Sequence, residues 1–340
     1  MRISPGKLWG LRRLADAKGF WKMVAIDQRT PIFGPIAERR GVKEPPFEDI
    51  VEVKRLLARH LAPQSSAMLL DPNYAYPRSI GEMPPSKGLV LSYEHHAVEN
   101  TPLGRKSGPI PGWSVAKSRR IGGDAVKVLV WYRADAAPEI RAHQEAFVQA
   151  AGEACAKHDT VMLLEVLIYP LPGEDAAALE PRREQLVLDS IRVFCEPRFG
   201  VDIFKLEPPG PIHRVPDPDS REAAPLQAAY DRMAAMLPRP WVMLSAGAGP
   251  EDFIRSLHYA YRAGASGYLA GRAIWWQAFA HFPDFARMAD SLAADSVRVL
   301  EELNALTESR ARPWHVHAGF SGMPQPDAIE QEFPARYPEA

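Results

Sequence analysis

Short runs rich in Val, Ile, Leu and Met recur along the chain near residues 23–27, 67–71, 88–93, 125–132, 161–169, 201–206, 241–246 and 266–270. Each is bounded by polar or turn-forming residues and has the length of a strand. Between most of them lie stretches with apolar residues at helical spacing, over 47–60, 137–158, 181–195, 220–237 and 250–263. Strand followed by helix, repeated, predicts a parallel sheet. The strand runs are continuously apolar rather than alternating, which is expected when helices cover one face and a core the other. Eight such units favour closure, so the predicted fold is α/β, a (β/α)8 TIM barrel. Two segments break the rhythm. Residues 99–120, dense in Pro, Gly and basic side chains, predict an extra loop on the active face. The stretch from Arg310, with many prolines, predicts an extended C-terminal tail. No linker divides the rest, so residues 1–309 are expected to form one catalytic barrel domain and 310–340 the tail.

Composition narrows the function more than the fold. The 340 residues are 46% apolar and 24% charged, ample for a globular core. The formal net charge of -1 leaves no large cationic footprint for nucleic acid or an anionic membrane, so neither is an expected partner. Cys155 and Cys195 lie within predicted helices at no metal-knuckle spacing and suit a reducing compartment. The amino terminus lacks an apolar signal core, and no apolar run is long enough to span a bilayer. The cytoplasm is the expected location. The amphipathic stretch over 284–306 offers a face for the barrel or for a second copy of the chain, so a homo-oligomer is an open expectation.

The candidate chemistry begins at Lys205, within Asp202-Ile203-Phe204-Lys205-Leu206-Glu207. An amine among apolar side chains loses hydration in its charged form and becomes a better nucleophile toward carbonyls. The bland alternative is a lysine paired with Asp202 or Glu207, its stem lying along the strand. Other strands carry comparable groups: Asp27, Gln28 and Arg29 at the end of the first, Lys127 inside the fourth, Glu165 inside the fifth. Strand alternation places Lys127 on the face of Leu129, and Glu165 on the face of Leu163 and Leu167, so each is expected to point inward toward Lys205. A salt-bridge layer filling the barrel without chemistry is the competing interpretation. As an amine catalyst, Lys205 attacks a ketone carbonyl and the resulting iminium accepts electrons from the adjacent carbon–carbon bond, while Glu165 shuttles protons. Lys127 either tunes Lys205 or binds hydroxyl or phosphate oxygens; spacing does not separate these.

The seventh run ends Leu244-Ser245-Ala246-Gly247-Ala248-Gly249 before Pro250 opens a helix, and the eighth ends Leu269-Ala270-Gly271-Arg272. Barrels commonly hold phosphate on the loops after strands seven and eight, so Ser245, Gly247, Gly271 and Arg272 form an expected phosphate grip. A metal-dependent route lacks a ligand set: His95 and His96 are adjacent and point to opposite faces, while His315 and His317 lie in the tail. Neither metal nor cofactor is expected.

These residues resemble a known family. Ala25-Ile26-Asp27-Gln28-Arg29, Leu69-Leu70-Asp71-Pro72, Leu91-Ser92-Tyr93-Glu94, Trp113-Ser114-Val115, Asp124-Ala125-Val126-Lys127, Leu164-Glu165, Phe204-Lys205-Leu206-Glu207, Leu244-Ser245-Ala246-Gly247 and Gly271-Arg272-Ala273 are similar, in content and order, to class I tagatose-1,6-bisphosphate aldolases and the related sulfofructose-phosphate aldolases. The resemblance runs from about Ala25 to Trp275. It implies a carbon–carbon lyase that cleaves a ketose phosphate or bisphosphate to dihydroxyacetone phosphate and an aldehyde such as glyceraldehyde 3-phosphate. It also implies Lys205 as the Schiff-base lysine, Glu165 as acid/base, and Asp27, Gln28 and Lys127 around the sugar hydroxyls. Arg29 joins the substrate-binding set, and Ser245, Gly247, Gly271 and Arg272 hold one phosphate or sulfonate. The basic 99–120 loop and the tail depart from the family pattern. The alternatives are a sulfofructose-phosphate aldolase, or a non-catalytic sugar-phosphate-binding regulatory barrel.

Overall fold

A computed structural model describes residues 2–320, 322–327 and 332–337; the remaining tail positions lie outside the described residues. Eight strands close into a parallel barrel: β1 (Trp21–Ala25), β2 (Ala67–Leu70), β3 (Gly88–Ser92), β4 (Ala125–Trp131), β5 (Val161–Leu167), β6 (Ile203–Leu206), β7 (Trp241–Met243) and β8 (Gly267–Ala270). Neighbours in the ring are neighbours in sequence, and β8 pairs with β1 to complete it. All eight runs read as strands are therefore strands of one barrel. Their two faces serve two cores. Met23, Leu69, Val90, Leu163, Ile203 and Val242 fill the interior, whereas Val24, Met68, Leu91, Val126, Leu164 and Phe204 pack outward on the helices. This double burial is why no alternation of polarity marks the strands.

The surrounding helices begin with α1 (Pro5–Leu14), ahead of the barrel, and α2 (Thr30–Arg40) and α3 (Phe47–Leu61) after β1. Then come α4 (Tyr76–Ser79), α5 (Val115–Arg120), α6 (Pro138–Lys157), α7 (Arg183–Phe194), α8 (Ala223–Met236), α9 (Pro250–Arg262), α10 (Arg272–Phe279), α11 (Phe285–Ser291) and α12 (Val297–Arg310). The helix expected over 284–306 is α11 and α12 joined through a π-turn at Leu292–Ser296. Helices α1 and α2 had no counterpart among the helical stretches read from the sequence; α2 carries Pro31 in its first turn, where a missing N–H costs nothing, and Pro35 further along.

The amino-terminal end of the barrel is sealed. Helix α1 crosses beneath it, with Gly10 so close that a Cβ would lie 2.6 Å from the Asp124 carbonyl oxygen. Trp314 stacks on Trp21 at 6.0 Å between ring centroids, its N–H donates to Gly19 O at 3.0 Å, and Gln325–Pro326 pairs in parallel with Arg2–Ile3. The stretch after Arg310 is thus a bottom cover along its described residues. The segment 99–120 contains a hairpin, Glu99–Thr101 with Gly104–Lys106, followed by α5. With one end plugged, the carboxyl ends of the strands form the open face.

Candidate active site

Register determines which polar groups meet. Glu165 on β5 is directly opposite Lys205 on β6, and Leu129 on β4 is opposite Glu165, which places Lys127 one layer lower. All three side chains follow the inward face marked by Ala125, Leu163 and Ile203. Lys205 Nζ donates to Glu165 Oε2 at 2.9 Å, with the lysine only 4% exposed. Its partner is neither Asp202, which accepts from Lys7 at 2.7 Å, nor Glu207, which accepts from Arg183 at 2.7 Å.

Lys127, 1% exposed, sits among three carboxylates: Glu94 at 2.6 Å, Asp27 at 2.7 Å and Glu165 at 3.3 Å. Arg29 closes the chain of charges by donating to Glu94 Oε1 at 3.3 Å and to the Glu94 carbonyl at 3.0 Å. The cluster balances, with Lys205, Lys127 and Arg29 against Glu165, Asp27 and Glu94. Such pairing is what makes several buried charges tolerable together. Burial alone pushes the Asp27 carboxyl up, but the Lys127 and Lys205 charges outweigh it and hold Asp27 down at about 2. Burial likewise opposes the charge on Lys127, yet the surrounding carboxylates raise its pKa and keep it an ammonium.

The β1 end that carries Asp27 and Gln28 is braced from below. Lys54 on α3, fully buried, donates to Ile26 O at 2.6 Å, Gln28 O at 2.9 Å and Asp71 Oδ2 at 2.6 Å. Asp71 in turn accepts from the N–H groups of Asn73 at 3.0 Å and Tyr74 at 2.7 Å. Helix α3 thereby ties together the ends of β1 and β2.

A cavity of 250 Å³ opens above this cluster, lined in part by Glu165, Lys205, Gln28, Ser245, Gly271 and Arg272. These expected residues are brought together. Asp27, Lys127, Arg29 and Gly247 are not on its wall: the first three lie within the charge cluster, and Gly247 packs beneath the Arg272 guanidinium, where a Cβ would be 3.4 Å from Nη1. The loop after β7 turns through left-handed conformations at Ala246 (φ 49°) and Gly247 (φ 93°). At the β8 end a Cβ on Gly271 would lie 2.5 Å from the Ala25 carbonyl, so a side chain is excluded where β8 meets β1. Helices α9 and α10 both start at these loops, aiming their N-termini toward them. Among the described residues no carboxylate pairs with Arg272, and burial lowers its pKa while the more distant Glu165 opposes this. An unpaired, half-buried guanidinium between two helix N-termini is suited to an anion.

Three wall or cluster residues had no assigned role from sequence. Glu94 is the hub between Lys127 and Arg29, and its Oε2 also accepts from the Leu129 N–H at 3.1 Å. Glu207 lines the cavity with its oxygens bonded by Arg183 and, at 2.6 Å, by the Ile168 N–H; burial raises its pKa to about 7 despite the arginine. Trp131 faces the cavity from the end of β4. Continuing the strand alternation by one step, from Ser92 to Glu94 past the end of β3 and from Lys205 to Glu207 past the end of β6, was the available signal.

The model of the DeoC/LacD family aldolases matches residues 22–277. Tagatose 1,6-diphosphate aldolase 1 of Streptococcus mutans serotype c is 30% identical over 331 residues, covering 92% of this chain and 99% of that protein. The tagatose 1,6-diphosphate aldolase of Listeria monocytogenes serotype 4a is 31% identical over 332 residues, covering 94% and 96%. Among solved structures, fructose-bisphosphate aldolase from Plasmodium falciparum superposes with a TM-score of 0.67 at 12% identity, covering 92% of this chain and 98% of that one, a likeness of fold. With the matching model spanning the whole barrel and its relatives aligned nearly end to end, the chain belongs to the DeoC/LacD family of aldolases and is an enzyme of the carbon–carbon lyase class.

Proposed function

We propose that the chain is a class I aldolase that cleaves a ketose phosphate, tagatose-1,6-bisphosphate-like, through a Schiff base on Lys205. The observation that carries this reading is the Lys205 amine, buried inside the barrel at the floor of the cavity with the Glu165 carboxylate 2.9 Å away. The relatives' names supply the substrate class.

In this reading Lys205 passes a proton to Glu165 and attacks the C2 ketone, forming a carbinolamine. Glu165 returns the proton to the departing hydroxyl, water leaves and a protonated imine remains. Glu165, again a carboxylate, removes the proton from the C4 hydroxyl. The C3–C4 bond breaks, its electron pair moves toward the iminium nitrogen, and C4 departs as an aldehyde. The enamine left behind takes a proton at C3, and water hydrolyses the imine to release dihydroxyacetone phosphate. Lys127, 3.3 Å from Glu165, holds that carboxylate in position and, with Asp27 and Gln28, orients the hydroxyls. Arg29 acts through Glu94 by fixing that carboxylate against Lys127. Ser245, Gly247, Gly271 and Arg272 hold the C1 phosphate at the paired helix N-termini.

Borohydride reduction in the presence of substrate tests the covalent step. The expected result is a mass gain of one reduced triose phosphate or ketose phosphate on the Lys205 peptide. Lys205→Ala should abolish both the adduct and aldehyde release; an adduct on another lysine, or turnover by the alanine variant, would overturn the assignment.

A further inference from the structure

Going round the ring, β8 and β4 are diametrically opposed, with β5, β6 and β7 between them on one side. Arg272 follows β8, Trp131 ends β4, and Lys205 on β6 lies midway along that arc. The cavity therefore has an anion-seeking group at one side, an amine in the middle, and a tryptophan at the far side. Arg105, itself outside the cavity wall, lays its guanidinium on that tryptophan, 4.5 Å from the Trp131 ring centroid and 4.9 Å from that of Tyr169, which follows β5.

The hairpin that carries Arg105 is fixed to the barrel rather than lying free on it. Tyr169 Oη accepts from the Arg105 backbone N–H at 3.1 Å. A Cβ on Gly104, whose φ is 144°, would sit 2.6 Å from the same Oη, so the turn needs glycine to come this close. The hairpin's exit is tied to α6, with the Ser107 N–H donating to Gln144 Oε1 at 2.8 Å. Trp131 and Tyr169 meet edge to face at 6.4 Å and form a shelf for the guanidinium plane. Stacking on aromatic faces leaves the N–H edge of an arginine open, in a fork that matches phosphate or sulfonate oxygens.

The neighbouring cations are already engaged. Arg183 is held by Glu207 and Glu180, and Arg133 by Asp135 and Glu174. Lys127 is surrounded by its three carboxylates. Arg29 retains unpartnered N–H groups, but they are sealed from solvent. Among the described residues Arg105 has no carboxylate partner and no hydrogen-bond acceptor for its side chain, and burial against the two rings disfavours its charge. It is a prepared cation lacking an anion.

We propose that Arg105, laid on Trp131 and Tyr169, binds a tetrahedral oxyanion at the end of the substrate that leaves as the aldehyde. This rests on the aldolase reading and deepens it. The substrate is then an open-chain ketose anionic at both ends, spanning from Arg272 past Lys205 to Arg105. The segment that departs from the family pattern becomes the part of this chain that selects the distal group.

The test measures cleavage of tagatose 1,6-bisphosphate, tagatose 1-phosphate and 6-deoxy-6-sulfotagatose 1-phosphate by the wild-type chain, Arg105→Gln and Arg105→Lys. Wild type should favour a doubly anionic ketose over tagatose 1-phosphate in kcat/KM. Arg105→Gln should reduce that preference by about tenfold to a hundredfold, mainly through KM, the size expected for lost charge-assisted hydrogen bonds. Arg105→Lys should fall between, and the doubly anionic substrate with the larger loss identifies phosphate or sulfonate. An unchanged preference in Arg105→Gln, or equal losses on all three substrates in both variants, overturns the inference while leaving the aldolase reading intact. Absence of both turnover and a borohydride-trapped adduct in wild type with every substrate overturns the aldolase reading and this inference with it.

Discussion

At the scale of single residues, the buried charges are governed by their neighbours. Lys205, Glu165, Lys127, Glu94 and Arg29 alternate in sign through contacts of 2.6 to 3.3 Å, and Asp27 branches from Lys127 at 2.7 Å, so each charge of the cluster has an opposite partner. Glu207, on the cavity wall, is raised to about 7 by burial although Arg183 opposes the shift. A carboxyl with a raised folded pKa binds more protons folded than unfolded between its unfolded value, near 4.5, and 7. Stability therefore falls as pH rises through that window, by about 3 kcal/mol in total, and levels off above it. Urea titrations from pH 4.5 to 7.5 should show Glu207→Gln with a flatter slope than wild type, whatever its absolute stability; parallel slopes would contradict the assignment. Lys205, Glu165 and Lys127 were legible because an ionisable group inside an apolar run is conspicuous. Glu94 and Glu207 were not assigned roles, since polar residues just past strand ends are ordinary and only contacts reveal their work. Arg29, expected at the substrate, is instead buried against Glu94.

At the scale of elements, alternation assigned the inward side chains, and register turned that into chemistry by placing Glu165 beside Lys205. A shift of one residue would have turned every such group outward into the helix layer. Helix packing is equally local. Gly152 in α6 lies against the Pro197–Phe199 turn, where a Cβ would be 2.2 Å from the Phe199 carbonyl oxygen. Intrinsic propensity favours alanine over glycine in mid-helix by roughly 1 kcal/mol. The backbone clash is the larger effect, and Gly152→Ala should destabilise by about 2 kcal/mol. A lower thermal midpoint is expected; a higher one would show that the close approach relaxes without cost. The hairpin within 99–120 was hidden for a related reason: its strands are three residues each, too short to display a period, and are secured by Tyr169, more than sixty positions away.

At the scale of the whole molecule, the two barrel ends have different tasks. The sealed end carries Trp21, Trp314 and Phe320, all almost fully buried, with Trp314 contributed by the segment after α12. Trp314→Ala removes a large side chain from this plug and should cost about 3–5 kcal/mol. Because the substitution is at the end of the barrel opposite the cavity, kcat/KM at 25 °C should stay within about twofold while the unfolding midpoint drops; a selective loss of activity would mean that the two ends are coupled. No helix among the described residues is long and apolar enough to cross a membrane. By itself the sequence determined the number and order of barrel strands, most outer helices, and which strands present an amine or a carboxylate inward, because period and burial preference are carried by each residue's own chemistry. Only the tertiary structure decided that Lys205 pairs with Glu165 rather than Asp202 or Glu207, that Glu94 joins the charge cluster, and that Arg105 lies over the Trp131 and Tyr169 rings. Those outcomes depend on register and on contacts between segments distant in sequence, and an ion pair is settled by distance in space.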